Sequence, residues 1–368
     1  MKIAIIGAGG FIGNRLVEQF HLQGSHTVVP VVRRPARLAL PARFAVEWRI
    51  GDALDETSLA GALAGCDAVV HAALGDPRQI EAMPAVLVAA AVRAGVPRVV
   101  YLSSASVHGQ APAPGTTESS ALQTGHALDY NNAKVRAEQA FFREISRHHL
   151  AGFALRPGIV YGPRSRWIAD AAADLRTGRA WLLRDGSGIF NGIYVDNLGT
   201  AVAATLSAPA AAAGAYLVGD EGTVTWRDFY GEIAAFLDLP AEWARSLDQL
   251  PSFRRSTGAR VRRIVARPEV QRLLPLLPGR LKQTTKQWLA AVDAPRPVDS
   301  WRLPAGPAPR ITEELALLQQ CRWKFPHDRA AARLGYRPRV GFVDALHRSL
   351  AWLAFAEGRT SSLCPTSP

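Results

Sequence analysis

The stretch Tyr130-Asn-Asn-Ala-Lys134 sets a phenol four residues ahead of an ammonium. On a helix, positions i and i+4 lie one turn apart on the same face, so both side chains would project into one space. A free tyrosine has a pKa of about 10, and a neighbouring cation favours its phenolate, which turns the phenol into an acid/base usable near neutral pH. A serine cluster, Ser103, Ser104 and Ser106, could add a second hydrogen bond to the reacting oxygen. The spacing alone is weak, because a surface helix pair would produce it as well. The elements that must position these groups decide.

Residues 2–6 form a short apolar, β-rich run that leads into Gly7-Ala-Gly-Gly10-Phe11-Ile12-Gly13 and then into a helical pattern through Leu16, Val17 and Phe20. Strand, glycine turn and helix start in that order make a phosphate cradle, since glycines let the backbone approach a pyrophosphate and the helix start offers N–H groups. A second strand, 27–32, ends in Arg33-Arg34 rather than in an acid. An acid there would hold the ribose 2′-hydroxyl of NAD, whereas arginine can pair with the 2′-phosphate of NADP, so NADP is favoured and NAD stays open. Solvated loop charges are the plain alternative for both arginines.

The segment 44–50 reads as a third strand leading to Asp52-Ala53, where Asp52 faces the adenine edge or caps the helix starting near Asp55. A fourth strand, 68–73, ends in His71-Ala72-Ala73, whose small residues permit close passage of a cofactor; His71 reads as a packed strand-end histidine rather than an acid/base. A helix over 82–94 and a strand over 98–102 then deliver Ser103-Ser-Ala-Ser106 at the carboxyl end of a parallel strand, where open α/β sheets bind ligands.

Composition narrows the class. The chain has 368 residues, 48% of them hydrophobic, enough for a sizeable core. Cys66, Cys321 and Cys364 match no metal or redox spacing, which points to free thiols in a reducing cytosol and to no cofactor metal. No apolar run is long enough to span a membrane, and the first residues are too short for a signal-peptide core. The net charge is +12, and residues 251–290 carry ten Arg or Lys against the single acid Glu269. This basic segment interleaves its charges with valines, isoleucines and a leucine run. It reads as a foot resting on anionic lipid at the inner face of a membrane, as a solvated lid, or as a homodimer contact. Nucleic acid is the weakest partner, because no aromatic stacking platform accompanies the charge.

Taken in order, Gly7-x-x-Gly10-x-x-Gly13, His71-Ala-Ala, Ser103-Ser-Ala-Ser-Val-His-Gly109, Tyr130-x-x-x-Lys134, Leu155-Arg-Pro-Gly-Ile-Val-Tyr-Gly-Pro163, Tyr194-Val-Asp-Asn197, Tyr216-Leu-Val-Gly219 and Leu334-Gly-Tyr-Arg-Pro338 resemble the extended short-chain dehydrogenase/reductase family, which includes the NAD-dependent epimerase/dehydratase group. The resemblance spans nearly the whole chain except the basic segment. It implies an α/β fold, a doubly wound parallel (Rossmann) sheet with an interleaved, smaller C-terminal substrate lobe. The dinucleotide-binding domain would cover 1–160, with 190–205 returning to it; 161–189 and 206–358 would form the substrate lobe, including 251–290, and 359–368 a flexible tail.

By position the resemblance makes Ser104, Tyr130 and Lys134 catalytic, with Lys134 lowering the Tyr130 pKa and bonding the nicotinamide ribose. It assigns Gly7, Gly10, Phe11, Ile12, Gly13, Arg33, Arg34, Asp52, Ala53, His71, Ala72, Ala73 and Pro157 to the cofactor, and Ser106, His108, Ile159 and Arg164 to a small-molecule substrate. Ser103 reads as backbone-bonding or substrate-lining, and Trp167, Trp181 and Phe190 as core or pocket aromatics. The family's dehydratases carry Asp and Glu after the catalytic hydroxyl, where this chain has Ala105 and Ser106, so sugar 4,6-dehydration is disfavoured. Many nucleotide-sugar members carry Asn where Ile159 stands, and an apolar side chain cannot donate to a phosphate. Three readings follow: hydride transfer at a secondary alcohol or ketone of a sugar-nucleotide-like substrate, by an oxidoreductase or epimerase; a 3β-hydroxysteroid dehydrogenase-like enzyme on a sterol or lipid-linked substrate; and a non-catalytic NADP-binding regulator.

Overall fold

The structure, a computed structural model, describes residues 1–250, 253 and 311–358. The chain divides into one unit made of Met1–Asp248 with Glu314–Pro368, and a second of Gln249–Glu313. The basic segment, apart from residue 253, and the C-terminal tail lie outside the described residues.

Seven parallel strands form the central sheet: β1 (Lys2–Ile6), β2 (Thr27–Val32), β3 (Arg49–Ile50), β4 (Ala68–His71), β5 (Arg98–Leu102), β6 (Ala151–Pro157) and β10 (Gly214–Val218). Their order is β10-β6-β5-β4-β1-β2-β3. The strands are apolar almost throughout because both faces are covered. Alternate residues go to opposite cores: Ile3 and Ile5 pack with helices α1 (Phe11–Gln23) and α6 (Val195–Ser207), while Ala4 and Ile6 pack with α2 (Glu56–Leu63), α3 (Pro77–Arg93) and α4 (Asp129–His148). The order reverses between β1 and β4, and that switch point opens a crevice at the carboxyl ends of both strands.

Four details depart from the sequence expectations. The third strand is two residues long instead of spanning 44–50, because Phe44 turns back to lie against His21 of α1, ring centroids 5.1 Å apart. The fourth ends at His71 rather than at 73: the Ala72 N–H still donates to the Ile6 carbonyl at 2.9 Å, and the chain then passes close against Gly7 at Ala73. The helix expected over 82–94 begins at Pro77, where Asp76 and Gln79 make a reciprocal capping box. Strand β10, expected in the smaller lobe, hydrogen-bonds along β6 and completes the main sheet, its Tyr216 fully buried beneath it.

The smaller lobe contains two two-stranded sheets, β7 (Ile159–Tyr161) with β9 (Gly192–Tyr194) and β8 (Trp181–Leu183) with β11 (Arg245–Leu247). Helices α5 (Arg166–Arg176), α7 (Trp226–Phe236) and α10 (Phe342–Ala356) enclose its core, and shorter helices α8 (Glu313–Leu318) and α9 (Asp328–Leu334) precede α10. Phe190 stacks on Phe229 at 4.4 Å and meets Trp226 edge-on at 5.0 Å, and Trp167 packs on Trp226. Phe190 is therefore core, and Trp167 packs half-buried against it.

Candidate active site

The glycine turn is shaped by contact as much as by flexibility. Gly7 has φ +82°, and a Cβ there would sit 2.7 Å from the Ala73 nitrogen. A Cβ on Gly13 would fall 2.3 Å from the Gly7 carbonyl oxygen. Helix α1 thus starts hard against the end of β1. Its N-cap Gly10 offers no side-chain acceptor, so the first-turn N–H groups of Phe11 and Ile12 remain open to an anion. A pyrophosphate fits this turn.

Arg33 and Arg34 follow β2 and are exposed, and among the described residues no carboxylate pairs with either. The Asp52 carboxylate accepts from the Leu54 N–H at 3.0 Å, while Asp55, not Asp52, caps α2; Ala53 is buried beside it. His71 is 2% exposed and neither ring nitrogen has a partner. Burial, reinforced by the nearby Lys134 charge, pushes its pKa down to about 3, so it is a neutral imidazole in the crevice wall.

The chemistry-bearing residues meet at the end of β5. Ser104 caps a short 3₁₀ turn, Ala105–His108, its hydroxyl oxygen accepting from the Ser106 N–H at 3.1 Å. That leaves its own proton to donate. Tyr130 lies in the first turn of α4 and Lys134 one turn on, as the spacing requires. The Lys134 ammonium donates to the Leu102 carbonyl at 2.9 Å and lies 5.2 Å from the Tyr101 ring and 6.0 Å from the Tyr130 ring. Burial draws its pKa down to about 8, with the Glu138 carboxylate pulling the other way. The Tyr130 phenol is pushed up to about 12 by burial; a hydrogen bond with Ser104 opposes that and the Glu314 charge adds to it. The phenol thus stands above its ordinary value, burial outweighing the lowering by Lys134 that the resemblance implies.

Ser106 is buried and its hydroxyl has no partner, so a polar atom of a ligand could meet it. His108 is engaged from behind: an Arg156 N–H donates to its Nε2 at 3.1 Å, which puts the ring proton on Nδ1. Burial, then Arg156 and His126, bring its pKa down to about 4. Pro157 and Ile159 are buried at the end of β6 and the start of β7. Arg164 points to α1, donating to Asn14 Oδ1 at 2.9 Å, and with Phe11, Arg43 and Trp352 lines a cavity of about 190 Å³ there.

Sequence reasoning missed a buried cluster behind these groups. Ser103 Oγ donates to Glu138 Oε2 at 2.5 Å, a side-chain rather than a backbone bond, and Arg156 clasps the same carboxylate through Nε at 3.1 Å and through Nη2. The available signal was Glu138 standing four residues after Lys134 on the same helical face. Glu314, whose charge Tyr130 feels and whose Oε1 accepts from Gln110 Nε2 at 3.4 Å, had no signal; it is remote in the chain.

The NAD dependent epimerase/dehydratase family model matches residues 3–219. The 2-alkyl-3-oxoalkanoate reductase of Stenotrophomonas maltophilia is 30% identical over 308 residues, 79% of this chain and 88% of that protein. A decarboxylating sterol-4-alpha-carboxylate 3-dehydrogenase of Candida albicans is 28% identical over 220 residues, 54% of this chain; the match spans 63% of the Candida protein, less than two thirds of its length. Among solved structures, MoeE5 in complex with UDP-glucuronic acid and NAD superposes with a TM-score of 0.67 at 20% identity, covering 97% of this chain and all of that one, a likeness of fold.

Proposed function

Because the chain belongs to the NAD dependent epimerase/dehydratase family, we propose that it is a nicotinamide-dinucleotide-dependent oxidoreductase acting on a secondary alcohol or ketone of a largely apolar substrate. The observation that carries the chemistry is the meeting of Ser104, Tyr130 and Lys134 at the end of β5, beside the switch-point crevice. When bound, the dinucleotide supplies or accepts the hydride. The remaining roles belong to the chain.

With its pKa near 12, the Tyr130 phenol keeps its proton at neutral pH. It is thus ready to give that proton to a carbonyl oxygen, which is the reductive direction. Ser104, which hydrogen-bonds the Tyr130 phenol, would give its O–H to the same oxygen, and Lys134 carries positive charge beneath. The open N–H groups of Phe11 and Ile12 hold the pyrophosphate, and Ala72, Ala73 and Pro157 border the crevice. Exposed, carboxylate-free Arg33 and Arg34 support NADP over NAD through pairing with the 2′-phosphate. A regulator without turnover would have no use for a buried ammonium facing a phenol.

The apolar substrate is supported by Ile159, buried where nucleotide-sugar enzymes of the resembling family carry Asn, and by Leu74, 69% exposed just past Ala73. The oxoalkanoate reductase and sterol dehydrogenase relatives point the same way. A sugar nucleotide is the second reading, favoured by the epimerases and dehydratases in the family's description. Absorbance at 340 nm with NADPH and a panel containing a 2-alkyl-3-oxoalkanoate, a 3-oxosteroid and a UDP-4-ketosugar tests both. Oxidation of NADPH by the first two ketones is expected. Turnover of the UDP-sugar alone would overturn the apolar assignment.

The composition of 251–290 supports a cytosolic protein that touches anionic lipid, in preference to a homodimer contact. No helix of the described residues is long and apolar enough to cross a membrane. Flotation with anionic vesicles should recover the full chain and lose a variant lacking residues 254–286; equal recovery of the two removes the idea.

A further inference from the structure

Helix α4 carries three ionisable residues on one stripe, Tyr130, Lys134 and Glu138, each one turn from the next. The first two face the crevice, and the third is sealed behind them at 1% exposure. Its carboxylate takes the Ser103 hydroxyl and a forked pair of Arg156 N–H groups, and Arg156 is itself 4% exposed. Arg156 also donates to His108 Nε2 and to the Glu118 carbonyl, both at 3.1 Å. One buried carboxylate therefore ties α4 to the end of β5 and to β6, on both sides of the Ser104 turn.

We propose that Glu138 is a positioning residue of the reaction, the buried counter-charge that keeps the Lys134 ammonium protonated beneath Tyr130, with Arg156 and Ser103 holding its carboxylate in place.

Among the described residues, the surroundings of Lys134 leave that task to Glu138. From β4 it faces His71, a neutral imidazole whose own protonation Lys134 opposes. From β5 it faces Tyr101, a buried phenol kept protonated, and the Leu102 carbonyl. On its own helix it faces Tyr130, protonated as well, and Glu138. Desolvation takes a buried ammonium toward its neutral form, and among the described residues Glu138 is the charge acting in the opposite sense.

The inference rests on Lys134 serving the reaction, so its test reads Lys134 directly, without cofactor or substrate. In protein labelled with ¹³C at lysine Cε, the Lys134 resonance, identified by its loss in Lys134→Arg, should titrate with a midpoint of about 8. Removing both buried charges together, Glu138→Gln with Arg156→Met, avoids stranding either one and should lower the midpoint by about one pH unit or more. Glu138→Asp keeps the carboxylate and should hold the midpoint within about 0.3 units. An unmoved midpoint in the double variant overturns the proposal, as does an Asp variant shifted as far as the double one. The assignment of Lys134 to the reaction fails on a different result, wild-type turnover by Lys134→Met.

Discussion

The Lys134 ammonium donates to the Leu102 carbonyl at 2.9 Å, and this bond pins the helix of Tyr130 to the end of the strand that leads to Ser104. Tyr130 and Ser104 are thereby registered by a bond to the strand backbone. Tyr130→Phe removes the proton without disturbing that bond. It should cost at least about 10²-fold in turnover, the usual worth of a positioned acid, and change NADPH affinity only a few-fold. Steady-state rates with fluorescence titration of NADPH check this, and an active Phe variant would sink the mechanism.

Arg33 and Arg34 offer a comparison that needs no substrate. Replacing both by Ala should weaken NADPH by about tenfold or more, the loss of one or two charge-assisted bonds to the 2′-phosphate, and leave NADH unchanged. Isothermal titration with the two dinucleotides reads the ratio. An unaltered preference removes both residues from the cofactor site.

Gly13 should tolerate no side chain. The added Cβ of Gly13→Ala meets the Gly7 carbonyl at 2.3 Å, so the turn must open or α1 must shift. We expect destabilisation of about 1–3 kcal/mol and loss of dinucleotide binding. Gly61→Ala, in α2 with nothing within 4 Å, should instead leave binding intact and add up to about 1 kcal/mol. Thermal melts with NADPH titrations separate the two.

His71 makes the fold sensitive to acid. Its folded-state pKa is about 3, below the ordinary 6.5, so the unfolded chain takes up its proton first. Stability from this group is complete above pH 6.5 and declines as pH falls from there toward 3, by about 1.4 kcal/mol per pH unit. Urea unfolding between pH 7 and 4 should show that slope, and His71→Leu should flatten it by the same amount. Parallel curves for the two proteins would contradict a neutral buried imidazole.

Much of the site was legible because it depends on local spacing. Tyr130 and Lys134 share a face by helical geometry, and the glycines after β1 announce a turn that only glycine can make. The ends of elements were harder to read. The capping box at Asp76 moved a helix start by five residues, and Phe44 left the sheet edge to cover α1, a choice made by packing rather than by β-propensity. Phe190 went to the core of the smaller lobe, with Trp167 packed against it, for the same reason.

By itself the sequence determined the glycine turn after β1 and the shared helical face of Tyr130 and Lys134, since each rests on contacts within one βα unit or one helical turn, and its family resemblance implied the doubly wound sheet and the place of Ser104. Tertiary structure alone decided the electrostatic state of those groups. Lys134 turns to Leu102, Tyr130 is raised by burial with Glu314 close by, and Glu138 is clasped by Arg156 from another strand. A pKa depends on how much water a group loses and on which charges surround it in space, and neither quantity is written in spacing along a chain.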